Sequence, residues 1–249
     1  MNIMERAIRI DCFQNLANYR KPSSFIIKES YPLPPYSTVI GMIHAISGFD
    51  SYHKMQVSIQ GENAGSVSEL YTRYSFKFDT KYEEGRHQLC IKGEDKDYGV
   101  FKGIAHVELI CDNRMVLHII PEEEDFDKIY QALKCPIIYP SLGRYEDLLD
   151  IQNVEIVELQ KVESATIRNN IYIPFQSELD IGRRTSTTYM LTKEYEITPQ
   201  GYRRWKPDGG KIKAHYMPKD TSVVNAYIDT YGDLSLIHIS EPTRLRCIS

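Results

Sequence analysis

Three of the four residues from 32 to 35 are proline, in the run Tyr31-Pro32-Leu33-Pro34-Pro35. This short segment constrains the fold more than any other. Proline fixes φ and removes the N–H donor, so the chain here is neither helix nor inner strand. The segment after it reads as a helix. Ser37 or Thr38 can cap it, Val39, Met42, Ile43 and Ile46 recur at the spacing of one helical face, and Gly48 suits a C-terminal cap. The start of the chain reads as a half-buried strand, because Ile8, Ile10 and Cys12 alternate with Ala7, Arg9 and Asp11.

Further along, Met55 to Gln60 reads as a second strand. From Leu70 to Asp79, Tyr74, Phe76 and Phe78 alternate with Arg73, Ser75 and Lys77. The stretch from Thr80 to Gly103 loses apolar period and gathers charge, which predicts a long protruding hairpin or loop. Strand alternation resumes at Val107, Leu109 and Cys111, Asp112-Asn113 supplies a turn, and Met115 to Ile120 continues as a strand. Pro121 can then start a second helix, with Glu122, Glu123, Glu124 and Asp125 at its positive end and a stripe of Phe126, Ile129, Tyr130 and Leu133. Pro136 stops it. Either Ile137 to Tyr139 or Val154 to Leu159 supplies the next strand.

The order is β-α-β-β-α-β, that of the ferredoxin-like motif shared by RNA-recognition domains. The expected class is α+β: a ferredoxin-like domain over residues 1–160 with a protruding hairpin at about 80–103, then a β-rich C-terminal region over 165–232 without a helix.

Composition narrows the function. The chain's net charge of -4 advertises no global field for nucleic acid, yet from Gly182 to Lys219 nine Lys or Arg face three acids. Charge is segregated. Within that region Arg203-Arg204-Trp205-Lys206 interleaves guanidinium groups with the only Trp, and Asp208-Gly209-Gly210-Lys211 can bring backbone close to a phosphate. A solvated basic face, or one meeting an acidic protein partner, is the alternative. The 18 tyrosines suit stacking on bases or half-buried strands equally. No apolar run approaches the length of a membrane span. The first residues lack the basic-then-apolar order of a secretory signal, so a cytoplasmic protein without membrane contact is expected.

Five scattered cysteines without a C-x-x-C pair argue for reduced thiols and against structural zinc. None of the seven histidines has metal-binding spacing, and no Walker loop, G-x-S-x-G elbow or dinucleotide fingerprint occurs. No metal, cofactor or catalytic set is therefore expected. A Tyr, Lys or His on a loop can still serve metal-independent RNA cleavage.

Two stretches carry a family resemblance. Asn18-Tyr19-Arg20-Lys21-Pro22 followed by Ser30-Tyr31-Pro32-Leu33-Pro34-Pro35-Tyr36-Ser37-Thr38-Val39-Ile40-Gly41-Met42 resembles the N-terminal signature of the CRISPR-associated protein five family. Tyr139-Pro140-Ser141-Leu142-Gly143-Arg144 with Glu146-Asp147 resembles its second recurrent stretch. The overall pattern looks closest to the I-B-like branch. The resemblance implies a RAMP-type subunit of a type I Cascade antiviral surveillance complex, binding the 5′ handle of the CRISPR RNA and capping the backbone filament. It also implies that the protruding hairpin at about 80–103 is a thumb. Its implied partners are that RNA, the backbone subunit (Cas-seven family) and the large subunit (Cas-eight family). In one branch the same subunit processes the precursor RNA as an endoribonuclease; here a non-catalytic role is expected. A protein–protein scaffold is the third reading.

The candidate RNA-binding residues are Arg20, Lys21, Tyr31, Ser37, Thr38, Arg144, Arg183, Arg184, Arg203, Arg204 and Lys206. The alternative for Arg20 and Arg144 is an ion pair with acidic loop residues. Lastly, the string from Leu234 to Arg244 looks like a translated sequencing adaptor, so residues 233–249 are expected to be a non-native tail that adds little stability.

Overall fold

In the computed structural model, which describes residues 5–77, 79–175 and 186–235, the first strand, β1 (Glu5–Ala17), is buried on both faces rather than one. Ile8, Ile10 and Cys12 face two helices, α1 (Tyr36–Ile46) and α2 (Glu123–Lys134), in a core with Val39, Ile43, Phe126, Ile129 and Leu133. On the other face Ala7 packs with Val157 and Leu159, and Arg9 and His118 stand opposite each other across a strand pair.

The strands between the helices are β2 (Met55–Glu62), β3 (Gly65–Ser75), β4 (Leu89–Lys92) and β5 (Asp97–Pro121); β6 (Asp150–Thr166) comes after α2. The central sheet runs β6-β1-β5-β2, and every neighbouring pair is antiparallel. The remaining strands are β7 (Asn170–Pro174), β8 (Thr187–Thr192), β9 (Tyr195–Ile197), β10 (Arg203–Trp205), β11 (Lys211–Met217), β12 (Ser222–Ile228) and β13 (Leu234–Ser235). They extend the same sheet at both ends: β7, β11 and β8 beyond β2, and β12 with β13 beyond β6. Among the described strands only β9 and β10 stand apart, as a two-stranded ribbon. Among the described residues no helix comes after α2.

Several local expectations are corrected. Helix α1 has Pro35 at its N-cap, so Ser37 and Thr38 lie inside the first turn, and neither side chain caps it. Gly48, at φ 65, does terminate it. Pro121 closes β5, and α2 begins two residues later. Ile137 to Tyr139 is exposed and not a strand; the Val154 to Leu159 segment lies within β6. Asp112-Asn113 is not a turn between strands. Asp112 takes the left-handed conformation, φ 49, inside a continuous β5, and the pairing with β1 keeps its register on either side.

The protrusion starts earlier than Thr80. One register joins β5 to β2 and then β3, from Met55↔Pro121 out to Ser75↔Phe101, so the central hairpin runs out of the sheet as an arm. Its tip pairs β4 with Asp97 to Val100. Phe78 lies outside the described residues.

The end of the described chain is integrated. The Arg9 guanidinium pairs with Asp229, with Asp233 at 2.7 Å and with Asp11 at 2.8 Å, while His118 Nε2 donates to Asp229 at 3.0 Å. Leu234 and Ser235 are buried, and Gln60 donates to the Leu234 carbonyl at 2.8 Å. A buried charge needs such partners. Residues 233–235 of the expected tail are thus packed against the sheet; residues 236–249 lie outside the described residues.

Candidate nucleic-acid interface

The end of β1 organises the site through buried hydrogen bonds. The Asn18 N–H donates to Asp147 Oδ2 at 2.9 Å, and its side-chain amide donates to the carbonyls of Lys28 and Glu108 at 2.8 and 2.7 Å. The Tyr19 hydroxyl donates to Gln14 at 2.5 Å and accepts from Asn113 at 2.8 Å. Gln14 in turn donates to the carbonyls of Leu142 and Asp147 at 3.0 and 2.8 Å. One strand end thus fixes two loops, 20–30 and 141–149. The proline-rich turn is pinned by Tyr172, whose hydroxyl donates to the Leu33 carbonyl at 2.8 Å.

Gly143 sits at φ 106, where a Cβ would meet the Asn18 carbonyl oxygen at 2.8 Å and Asp147 Oδ2 at the same distance. Only glycine fits there. The next residue, Arg144, donates its backbone N–H to Asp147 Oδ2 at 2.9 Å and its guanidinium to Oδ1 at 2.7 Å. A further contact to Glu146 lies at 3.0 Å, and the two-point pair holds the guanidinium pKa above its ordinary value. For Arg144 the ion-pair alternative is what the structure shows.

These loops and the start of α1 enclose an open cleft of about 390 Å³. Its charged lining residues are Arg20, Lys28 and Arg144, and Thr38, Tyr31 and Trp205 complete its wall. Arg20 is exposed, with its guanidinium 6.0 Å from the Phe25 ring centre. Lys28 holds its ammonium 4.3 Å from the Tyr71 ring centre. Helix starts present N–H groups without intrahelical partners; here Thr38 turns its N–H back to the Pro35 carbonyl at 2.9 Å.

Three further sequence candidates have partners of their own, although Ser37 and Tyr31 also line the cleft. Ser37 Oγ is 2.6 Å from Thr192 Oγ1, tying α1 to β8. Lys21 pairs with Glu29 at 3.3 Å on the surface of its own loop. Tyr31 is mostly buried, edge-on to Tyr189 at 5.4 Å, with its hydroxyl donating to the Met190 carbonyl at 3.2 Å. Burial raises its pKa. Tyr36, Tyr172, Tyr189 and Tyr216 continue this cluster, so these tyrosines serve packing.

The β9–β10 ribbon carries three of the basic candidates and lies on α1. Arg203 places its guanidinium 4.6 Å from the Tyr195 ring centre and against Gly41, where a Cβ would stand 3.0 Å from Nη1. Arg204 pairs with Glu196 at 2.5 Å, and Lys206 with Glu194 at 3.0 Å. Their charges are largely compensated within the ribbon. Arg183 and Arg184 lie outside the described residues.

His44 fastens the ribbon to the helix. Its Nε2 is 3.0 Å from the His53 carbonyl, which only accepts, so Nε2 carries the proton and Nδ1 accepts from the Tyr195 hydroxyl at 2.5 Å. Burial lowers the His44 pKa to about 4, against the smaller raising effect of its bond to the His53 carbonyl. The ring is therefore neutral at pH 7.

Sequence reasoning missed Lys28, which no motif marks, and Glu108, whose carboxylate accepts from the Ser30 N–H at 2.8 Å at the base of the arm. Among the described residues no group of His, Cys, Asp and Glu is placed to hold a metal, and no helix is long and apolar enough to cross a membrane.

Comparison with known proteins bears on this geometry. A chain of a "CRISPR RNA-guided surveillance complex" superposes with a TM-score of 0.54 at 13% identity, covering 91% of this chain and 92% of that one. A "CRISPR protein from Archaeoglobus fulgidus" gives a TM-score of 0.45 at 10% identity, covering 92% and 98%. At such identity the first likeness speaks to the fold alone. Comparison with curated proteins finds no match. Residues 7–219, which include both loops, the cleft and the ribbon, match the family described as "CRISPR-associated protein (Cas_Cas5)". The chain belongs to the CRISPR-associated protein (Cas_Cas5) family.

Proposed function

We propose that this chain holds the 5′ handle of a CRISPR RNA in the cleft at the end of β1, without cutting it. The observation that carries the reading is the cleft's lining: its charged residues are Arg20, Lys28 and Arg144, with no carboxylate among the described lining residues. Helix α1 starts at its wall, and cations beside a helix N-terminus suit phosphate. Arg stays charged at any working pH and suits holding an anion better than transferring protons. His44, the histidine of α1, is closed between Tyr195 and the His53 carbonyl. Both points favour a holder over a metal-independent endoribonuclease.

The rest of the reading comes from the fold. The sheet order β6-β1-β5-β2 with α1 and α2 on one face supports the reading of a ferredoxin-like unit with the arm as its thumb. Leu70, Tyr74 and Ile104 are exposed on that arm, and such residues suit contact with a backbone-forming subunit or the large subunit of a Cascade complex. In this reading the chain caps the filament in the cytoplasm.

The test is binding of a 3′-labelled, single-stranded handle RNA by fluorescence anisotropy across a salt series, in chelator. Wild type should bind with a steep salt dependence and leave the RNA intact. The double variant Arg20→Glu, Lys28→Glu should bind about tenfold or more weakly, with a shallower slope, because fewer counterions are released. Equal affinity and slope in a folded variant would remove the cleft from the account. Cleavage at one position would replace the holder with a nuclease.

A further inference from the structure

One aromatic residue of the cleft's lining comes from outside the two signature stretches. Trp205 is the only tryptophan of the chain and the last residue of β10. It lines the cleft and remains 41% exposed. An indole offers a flat apolar face with a polar N–H at its edge, and this one is part-open to the cleft.

The backbone that carries this ring is anchored on both sides. The ribbon is fastened to α1 by the Tyr195 hydroxyl on His44 Nδ1 at 2.5 Å, and Tyr195 itself is opposite Trp205 in the strand pair. Arg203, two residues before Trp205, lies over the Tyr195 ring and against Gly41, which has no side chain to push it away. Lys206, the next residue, is held by Glu194 and by the Tyr52 ring at 4.4 Å. The residues on both sides of Trp205 are thus anchored.

We propose that Trp205 is a stacking platform for one unpaired base, set in advance by the docking of the ribbon on α1. The phosphate of the same nucleotide reaches the Arg20 and Lys28 side of the cleft. A base offers its face to an indole only when it is unpaired, and stacking needs no hydrogen-bond readout, so the platform is tolerant of base identity. Tyr195 and His44 are positioning residues in this arrangement. The inference rests on the RNA-holding reading and names the side chain that takes the base.

The experiment tracks RNA binding by anisotropy and the emission of Trp205, the sole indole, in the same titration. Wild type should show saturable quenching with the midpoint of the anisotropy curve. Trp205→Phe should keep most of the affinity, and Trp205→Ala should lose about five- to a hundred-fold. One abasic position in the handle should weaken wild type by a similar factor and leave Trp205→Ala unaffected. His44→Phe should shift the emission of the unliganded protein to the red and weaken binding, since the ribbon loses its anchor. RNA binding with unchanged emission, and with Trp205→Ala equal to wild type, would overturn the platform and leave the RNA-holding reading standing. Failure of wild type to bind the RNA would overturn both.

Discussion

Asp147 holds Arg144 through both carboxylate oxygens while its Oδ2 also accepts the backbone N–H groups of Asn18 and Arg144, all at 2.7 to 3.2 Å. The signature arginine is thus oriented by a carboxylate of its own loop. The same carboxylate staples the loop after α2 to the end of β1. Gly143 makes this possible, since any side chain would collide with both partners.

Asp147→Ala should therefore destabilise the protein more than Arg144→Ala. The first leaves two buried backbone N–H groups without an acceptor, a cost of about 2–3 kcal/mol, whereas the second leaves Asp147 with those two bonds. Gly143→Ala should cost at least about 1–3 kcal/mol, from the positive φ and the 2.8 Å contacts. Chemical denaturation of the three variants checks the order. Arg144→Ala as the least stable of the three would contradict it.

Stability should fall in acid in two separable steps. His44 is neutral in the folded state with a pKa of about 4, against 6.5 in the unfolded chain. The unfolded chain therefore binds a proton first, and stability declines as pH drops from about 6.5 towards 4. Asp229 behaves as a depressed carboxylate. Burial alone would raise its pKa, but hydrogen bonds from His118, the Asp233 N–H and Arg9 outweigh burial and bring it to about 2. Its contribution is present above pH 3.8 and lost as pH falls towards 2. Thermal melts between pH 8 and 2.5 should show both declines, and His44→Phe should flatten only the upper one. An unchanged upper decline in that variant would assign it to another group.

The helices were legible because their signals are local. The α1 face of Val39, Met42, Ile43 and Ile46 and the acidic first turn of α2 need only neighbouring residues, and all four apolar positions of α1 are buried. The second face of β1 was not legible, because the segment that covers Arg9 comes from residues 229–233 at the other end of the chain. Asp112-Asn113 has turn composition, yet pairing with β1 keeps one register across the left-handed Asp112 and the Asn113 amide is used by Tyr19. The arm misled in the opposite way: Tyr74 and Phe76 alternate like one face of a strand but are both exposed. In the candidate site, motifs mark Arg20, Thr38 and Arg144, and all three line the cleft. Their convergence with Lys28 and Trp205 depends on tertiary docking that no spacing encodes.

A chain ended at Gly232 should be less stable than one ended at Ser235. The shorter chain loses the Asp233 carboxylate from Arg9 and the buried Leu234 side chain, together worth about 2 kcal/mol or more. Melting temperatures of the two truncations decide this. Equal values would show that the contacts of 233–235 add nothing to the fold.

Shortening the arm should spare folding. Tyr71 and Ala105 are cross-strand partners, so a two-glycine turn can join them in place of residues 72–104. Asn18 and Ser30 keep their bonds to Glu108, which lies on the retained side. The shortened protein should melt close to wild type and bind handle RNA in the cleft, but assemble poorly with its partner subunits. A large fall in melting temperature would mean that the arm stabilises the core.

The most direct test of the account is to map where the RNA lies. Handle RNA carrying a photoactivatable 4-thiouridine at each position in turn, cross-linked to the protein and digested, should mark peptides from 18–28, 141–147 and 203–206, which border the cleft. Cross-links confined to the solvent-facing residues of β6 and β12, on the far side of β1 in the sheet, would contradict it.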